Sequence, residues 1–187
     1  MVRRLVLPVL VLTLAGCGGS GSKSLVLTPS DVGKDFREFD QGQQAEVDFS
    51  PPRDDPKRFG REDGWKARFT RLAPTTTIAG PLQISSLADR FRTAEGARMD
   101  FSLYQQWLGQ FVVTGGRTLA PPGVGDEAAA VTYRQGLAAR AVRYYMIAWR
   151  DKNVTASVNV NGNEGKLAWQ QALDLVRKQE KRIHAGA

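Results

Sequence analysis

Cysteine and histidine each occur once in 187 residues, as Cys17 and His184. One thiol cannot close an intrachain disulfide, so an exported domain of this sequence is held together by burial alone. The lone histidine lies three residues from the end of the sequence, beyond the last apolar stripe, and a frayed terminus does not hold a general base in place. Serine–histidine and cysteine–histidine catalysis are thereby excluded. Zinc, haem and blue-copper sites lose their usual ligands. The expectation is no metal, no cofactor and no enzymatic activity.

Carboxylates do not replace them. Asp54-Asp55, Glu62-Asp63 and Asp126-Glu127 are adjacent pairs, and neighbours in sequence point apart on a strand. The spaced oxygen ligands of a calcium loop are absent. Gly123-Val124-Gly125-Asp126 lacks both the strand–glycine–helix context and the lysine of a phosphate loop. The net charge is +7, but the basic residues are scattered and form no block. That pattern gives a solubilising surface with some affinity for anionic envelope polymers, and no nucleic-acid partner is expected.

Long hydrophobic runs are also missing, apart from Leu5 to Leu14. That segment falls short of the roughly 20 apolar residues that span a bilayer. It follows Arg3 and Arg4 and leads into Leu14-Ala15-Gly16-Cys17, the three-part order of a secretory signal. The four residues resemble the lipobox of bacterial lipoproteins. The resemblance implies diacylglycerol on the Cys17 sulfur, a cut before Cys17, and stable anchoring through more than one acyl chain. The implied location is the extracytoplasmic face of the cell membrane, or the outer membrane if the host has one. The partners expected are the membrane, through lipidated Cys17, and an unknown envelope ligand or protein.

The expected organisation is a signal peptide over 1–16, a lipidated cysteine and flexible tether over 17–24, and one α+β domain over 25–187. The glycine- and serine-rich tether reaches on the order of 15 Å. About 170 residues suffice for one ordinary core.

Thr28-Pro29-Ser30-Asp31-Val32-Gly33 predicts a single helical turn with Phe36 and Phe39 as core contacts. Residues 40–64, rich in proline and polar groups, predict a long loop that could act as a lid. Alternation at Trp65, Ala67 and Phe69 predicts a strand, and Leu82 to Phe91 a second, antiparallel to it. Thr93 caps a helix to about Gln110 with a stripe of Ala97, Phe101, Tyr104, Leu108 and Phe111. After a turn-rich connection, strands are predicted at 128–134, 139–150 and 154–160. The last two are joined by Asp151-Lys152-Asn153, with Asn153 in the left-handed position. A final helix opens at 161–165 and runs to Ile183, with Trp169, Ala172, Leu173, Val176 and Ile183 inward. The class is α+β, a two-layer antiparallel sheet with two main helices packed on it.

Gly125-Asp126-Glu127-Ala128 and Trp149-Arg150-Asp151-Lys152-Asn153-Val154, with this layout, resemble surface lipoproteins and extracytoplasmic sensor domains of actinobacterial type. The resemblance implies a binding or sensing role for some members and no assigned activity for many. The strand 139–150 is apolar on both sides, with Val142, Tyr144, Met146 and Ala148 on one and Arg143, Tyr145, Ile147 and Trp149 on the other. Either it is a buried central strand, or its second side is an open groove. In the groove reading Tyr145, Trp149, Arg143 and Ile147 contact a ligand. The expected function is a lipid-anchored binding or sensor module. A lipid or glycolipid carrier is the alternative, and a carboxylate-dependent envelope hydrolase ranks last.

Overall fold

The period-two patterns resolve into seven antiparallel strands: β1 (Phe36–Gln43), β2 (Arg61–Arg71), β3 (Gln83–Phe91), β4 (Arg117–Leu119), β5 (Glu127–Gln135), β6 (Val142–Asp151) and β7 (Val154–Asn163). They form one sheet in the order β1-β2-β3-β7-β6-β5-β4. Three helices accompany it: the single turn α1 (Pro29–Val32), α2 (Ala94–Val113) and α3 (Trp169–Gly186). The computed structural model describes residues 21–43, 56–137 and 140–186. The leader, Cys17 and the tether up to residue 20 lie outside these, as do residues 44–55 of the expected loop, residue 138, and residue 139 at the start of the expected long strand.

The α+β class with an antiparallel sheet and two main helices is the one observed. The layering differs in one respect, because α2 and α3 lie on opposite faces. On the α3 face, Ile147 and Trp149 of β6 join Ala156, Val158 and Val160 of β7, Phe69 of β2, and Ala172, Val176 and Ile183 of the helix. On the other face, Met146 and Ala148 of β6 and Val131 of β5 pack beneath Phe101, Tyr104, Trp107 and Leu108 of α2. Each fully buried side chain of this size contributes about 1.5–3 kcal/mol by leaving water. A central strand covered on both sides must be apolar on both, which accounts for the β6 sequence.

Thr93 caps α2 as expected, accepting a hydrogen bond from the Gly96 N–H at 3.1 Å. The first described residues, which end the expected tether, are tied down. Ser22 to Leu25 form a 3-10 turn, Leu25 and Leu27 are buried, and the Leu27 N–H donates to Ser86 Oγ at 2.9 Å. Ser86 in turn donates to Gln179 of α3 at 2.7 Å. Arg182 Nε donates to Asp31 Oδ2 at 2.7 Å, securing α1 to the end of α3.

Several elements depart from expectation. The polar segment after Phe36 is an edge strand, whose unpaired side tolerates polar residues. Phe39 is half exposed and not a core contact. Residues 61–64 of the expected loop belong to β2. β7 runs on to Asn163, so the last helix begins at Trp169, and Leu175 is buried where Leu173 was expected. In the two-residue hairpin loop the positive φ of 50° falls on Lys152 rather than Asn153. The neighbours explain it: the Lys152 N–H donates to Asp126, its carbonyl accepts from Arg150, and the Asn153 amide is committed to the Phe91 carbonyl at 2.7 Å. Helix α3 also continues past His184, which is therefore held in a helical turn and not frayed.

Candidate ligand groove

Helix α2 covers only part of its face. It starts beside the end of β3 and crosses β7, β6 and β5, leaving the beginning of β3 and the end of β7 open. The result is a groove of about 520 Å³ between the C-terminal half of α2 and the β1–β2 edge. The floor and walls combine Gln83 and Ser85 of β3, Asn159 of β7, Met146 and Tyr144 of β6, Tyr133 of β5, Trp107 and Phe111 of α2, Arg68 of β2 and Phe39 of β1.

One wall is a ladder of rings. Trp107 meets Phe111 edge-on at 5.2 Å, Phe111 stacks on Tyr133 at 4.7 Å, and Tyr133 stacks on Tyr144 at 4.5 Å. The first two rings follow from the i, i+4 spacing on α2. The last two are directly opposed residues of β5 and β6. Tyr144 ends the ladder where the groove opens. Burial pushes the Tyr133 phenol up to about 12, and the neighbouring Tyr144 adds to it, so the ring is a neutral donor at any physiological pH.

The opposite wall owes its aromatic ring to an irregularity. The β1–β2 register shifts between Glu38 and Asp40, so Phe39 is the residue left without a partner. A bulge of this kind re-aims a side chain, and Phe39 lines the groove with 52% of its surface exposed. Arg68 is held in place by Asp40, 3.3 Å from its Nη1.

Polar side chains stand along the floor where the sheet is uncovered, while most of the exposed lining is apolar. Asn161 donates to Gln83 at 3.1 Å, and the side-chain oxygen of Asn159 is buried and accepts no hydrogen bond. A buried acceptor in that state costs about 1–3 kcal/mol. No carboxylate and no histidine is among the described residues that line the groove.

The residues expected to contact a ligand lie on the other face. Ile147 and Trp149 are fully buried beneath α3, where the indole N–H donates to Glu180 Oε2 at 2.6 Å. Tyr145 packs on Trp169 at 5.3 Å, and Arg143 pairs with Glu164 through two hydrogen bonds. The structure thus brings Tyr145, Ile147 and Trp149 into the α3-side core, and the open ground belongs to Tyr144. The expected lid cannot be placed, since residues 44–55 lie outside those described. A signal for the groove was present in β7, a central strand whose second side carries Thr155, Ser157, Asn159 and Asn161. A polar side on a central strand means either buried polar partners or an uncovered surface.

No family model matches the chain, and no curated protein matches it. Among solved structures, the extracellular domain of PknH from Mycobacterium tuberculosis is similar at 14% identity and a TM-score of 0.42, over 85% of this chain and 94% of that one. A likeness so distant bears on neither ligand nor partner.

Proposed function

We propose that this chain is a lipid-anchored extracytoplasmic binding module without catalytic activity, and that its groove takes a saccharide chain of the cell envelope. The observation that carries the reading is the ladder of aromatic rings that walls an open groove beside amide, hydroxyl and guanidinium side chains. Amides and arginine bind the hydroxyls of such a ligand. Ring faces cover the apolar C–H faces of sugars, with burial favouring contact. Lack of a carboxylate or histidine among the described residues of the groove supports binding without turnover.

The anchor rests on the lipobox at Leu14 to Cys17. The Ser22 N–H donates to Asp63 at 2.6 Å, and Asp63 stands opposite Arg90 in the β2–β3 register. Ser85 in the groove is five residues from Arg90 along β3, about 17 Å at the usual strand rise. The described chain therefore enters the domain on the α3 face and at the far end of β3, so a tether there would leave the groove on the side opposite to it. That geometry favours a polymer of the envelope over lipid in the bilayer. A glycolipid carrier is the second reading: most of the exposed lining is apolar, but the groove is open and carries amide, hydroxyl and guanidinium groups. Titration with soluble envelope polysaccharide fragments, followed by tryptophan fluorescence from Trp107, tests the reading.

A further inference from the structure

On the α3 face, far from the ladder, three side chains converge that the groove does not use. Asp151 ends β6, and Glu180 and His184 are one turn apart on α3. Nε2 of His184 lies 3.1 Å from Asp151 Oδ2 and 3.3 Å from Glu180 Oε1. One ligand atom from each residue falls within 4.8 Å of the others.

We propose that Asp151, Glu180 and His184 form a binding site for one divalent transition-metal ion, with zinc the best match to one imidazole and two carboxylates. Four observations carry this. First, bonds of about 2.0–2.1 Å in a tetrahedral zinc site set ligand atoms roughly 3.3 Å apart, and both histidine–carboxylate separations are of that size. Second, the Asp151 side chain is only 7% exposed, yet its Oδ2 accepts no hydrogen bond, even with Nε2 so near. Such an oxygen, aimed at a neighbouring nitrogen without bonding to it, is placed as a co-ligand is. Third, no lysine or arginine among the described residues pairs with either carboxylate. Two buried carboxylates this close are stabilised by a cation or a shared proton between them.

Fourth, Glu180 is held as metal ligands are held. Its Oε2 accepts from the Trp149 indole at 2.6 Å and its Oε1 from the Gly125 N–H at 2.7 Å, and outer hydrogen bonds of this kind fix a ligating carboxylate while leaving a lone pair free. The site also lies in the last turns of α3, where the helix dipole favours a cation. His184 is 58% exposed, so an ion enters from solvent and its fourth position is left to water. Bound there, the ion clasps the end of β6 to α3. Glu180 and His184, four residues apart, share a helix face by spacing alone, and only the fold brings Asp151 to them.

The test is calorimetric titration of the untagged, chelator-treated, full-length protein with zinc chloride, together with melting curves. One ion per chain is expected, with a melting temperature that rises with zinc concentration. His184→Ala alters an exposed side chain, so it should keep the metal-free melting temperature and weaken zinc binding at least tenfold. Asp151→Asn, which keeps the shape of the side chain, should weaken it similarly. The proposal is overturned if the wild-type protein binds no zinc, if His184→Ala binds it equally well, or if calcium binds as tightly as zinc.

Discussion

Tyr133 and Tyr144 stand opposite one another in the β5–β6 register with ring centroids 4.5 Å apart and planes within 6° of parallel. Tyr133 leans on Phe111 of α2, and Tyr144 lines the open groove. The stack therefore joins the α2 core to the surface that a ligand would meet. Offset aromatic pairs add about 0.5–1.5 kcal/mol beyond burial, so the wall is firm before anything binds.

That stack has a titration signature. The Tyr133 phenol is raised to about 12 in the fold, against about 10 for an unfolded chain. Its contribution to stability is complete below pH 10 and is lost as pH rises through the folded value. Urea midpoints should fall from pH 10 upward, and Tyr133→Phe should lessen the fall. An identical pH profile in the variant would contradict the assignment.

Gln179 links three parts of the chain. It accepts from Ser86 Oγ at 2.7 Å and donates to the Leu87 carbonyl at 2.8 Å, while Ser86 accepts from the Leu27 N–H. Gln179→Leu leaves the Ser86 hydroxyl and the Leu87 carbonyl short of a partner, at about 1–3 kcal/mol. Equilibrium urea unfolding reads the loss. An unchanged midpoint would show that the Gln179 hydrogen bonds add nothing to the joint between α3 and the N-terminal segment.

Gly125 has φ of 58°, and a Cβ there would lie 2.3 Å from the Arg150 carbonyl oxygen. Its N–H also holds Glu180. Gly125→Ala should cost about 2 kcal/mol or more. Gly123→Ala, also at positive φ but with open space around its Cβ, should cost only about 1 kcal/mol. Equal thermal shifts for the two variants would sink the steric explanation.

If Cys17 carries the anchor, Cys17→Ser moves the protein from the membrane fraction to the soluble fraction, because one signal is lost and no other acyl site exists. Fractionation followed by mass spectrometry of the N-terminal peptide checks both halves. A variant that stays with the membrane, or a wild-type peptide without acyl mass, would remove the lipoprotein reading.

The antiparallel pairing of β2 with β3, the capped and striped α2, and the β6–β7 hairpin were legible in the sequence, because each has an uninterrupted period and a clear stop signal. β1 was not, since an edge strand half open to water has the composition of a loop. The groove was misplaced for a related reason. Apolar residues on both sides of β6 left open whether both were covered, and did not say which helix lay on which side, so Tyr145 and Tyr144 were indistinguishable by pattern. Trp149 shares the side of Tyr145, and a large aromatic on a central strand belongs to the core. Phe39 enters the groove through a bulge, which no periodicity announces.

The most direct measurement is a fluorescence titration with soluble envelope polysaccharide fragments, comparing the wild-type protein with Tyr144→Ala and Tyr145→Ala. Neighbouring strand residues on opposite faces make the pair a sharp control. Saturable binding that weakens at least tenfold in Tyr144→Ala and survives in Tyr145→Ala is the expected result. No saturable signal, or loss in Tyr145→Ala with retention in Tyr144→Ala, would contradict a saccharide groove on the α2 face.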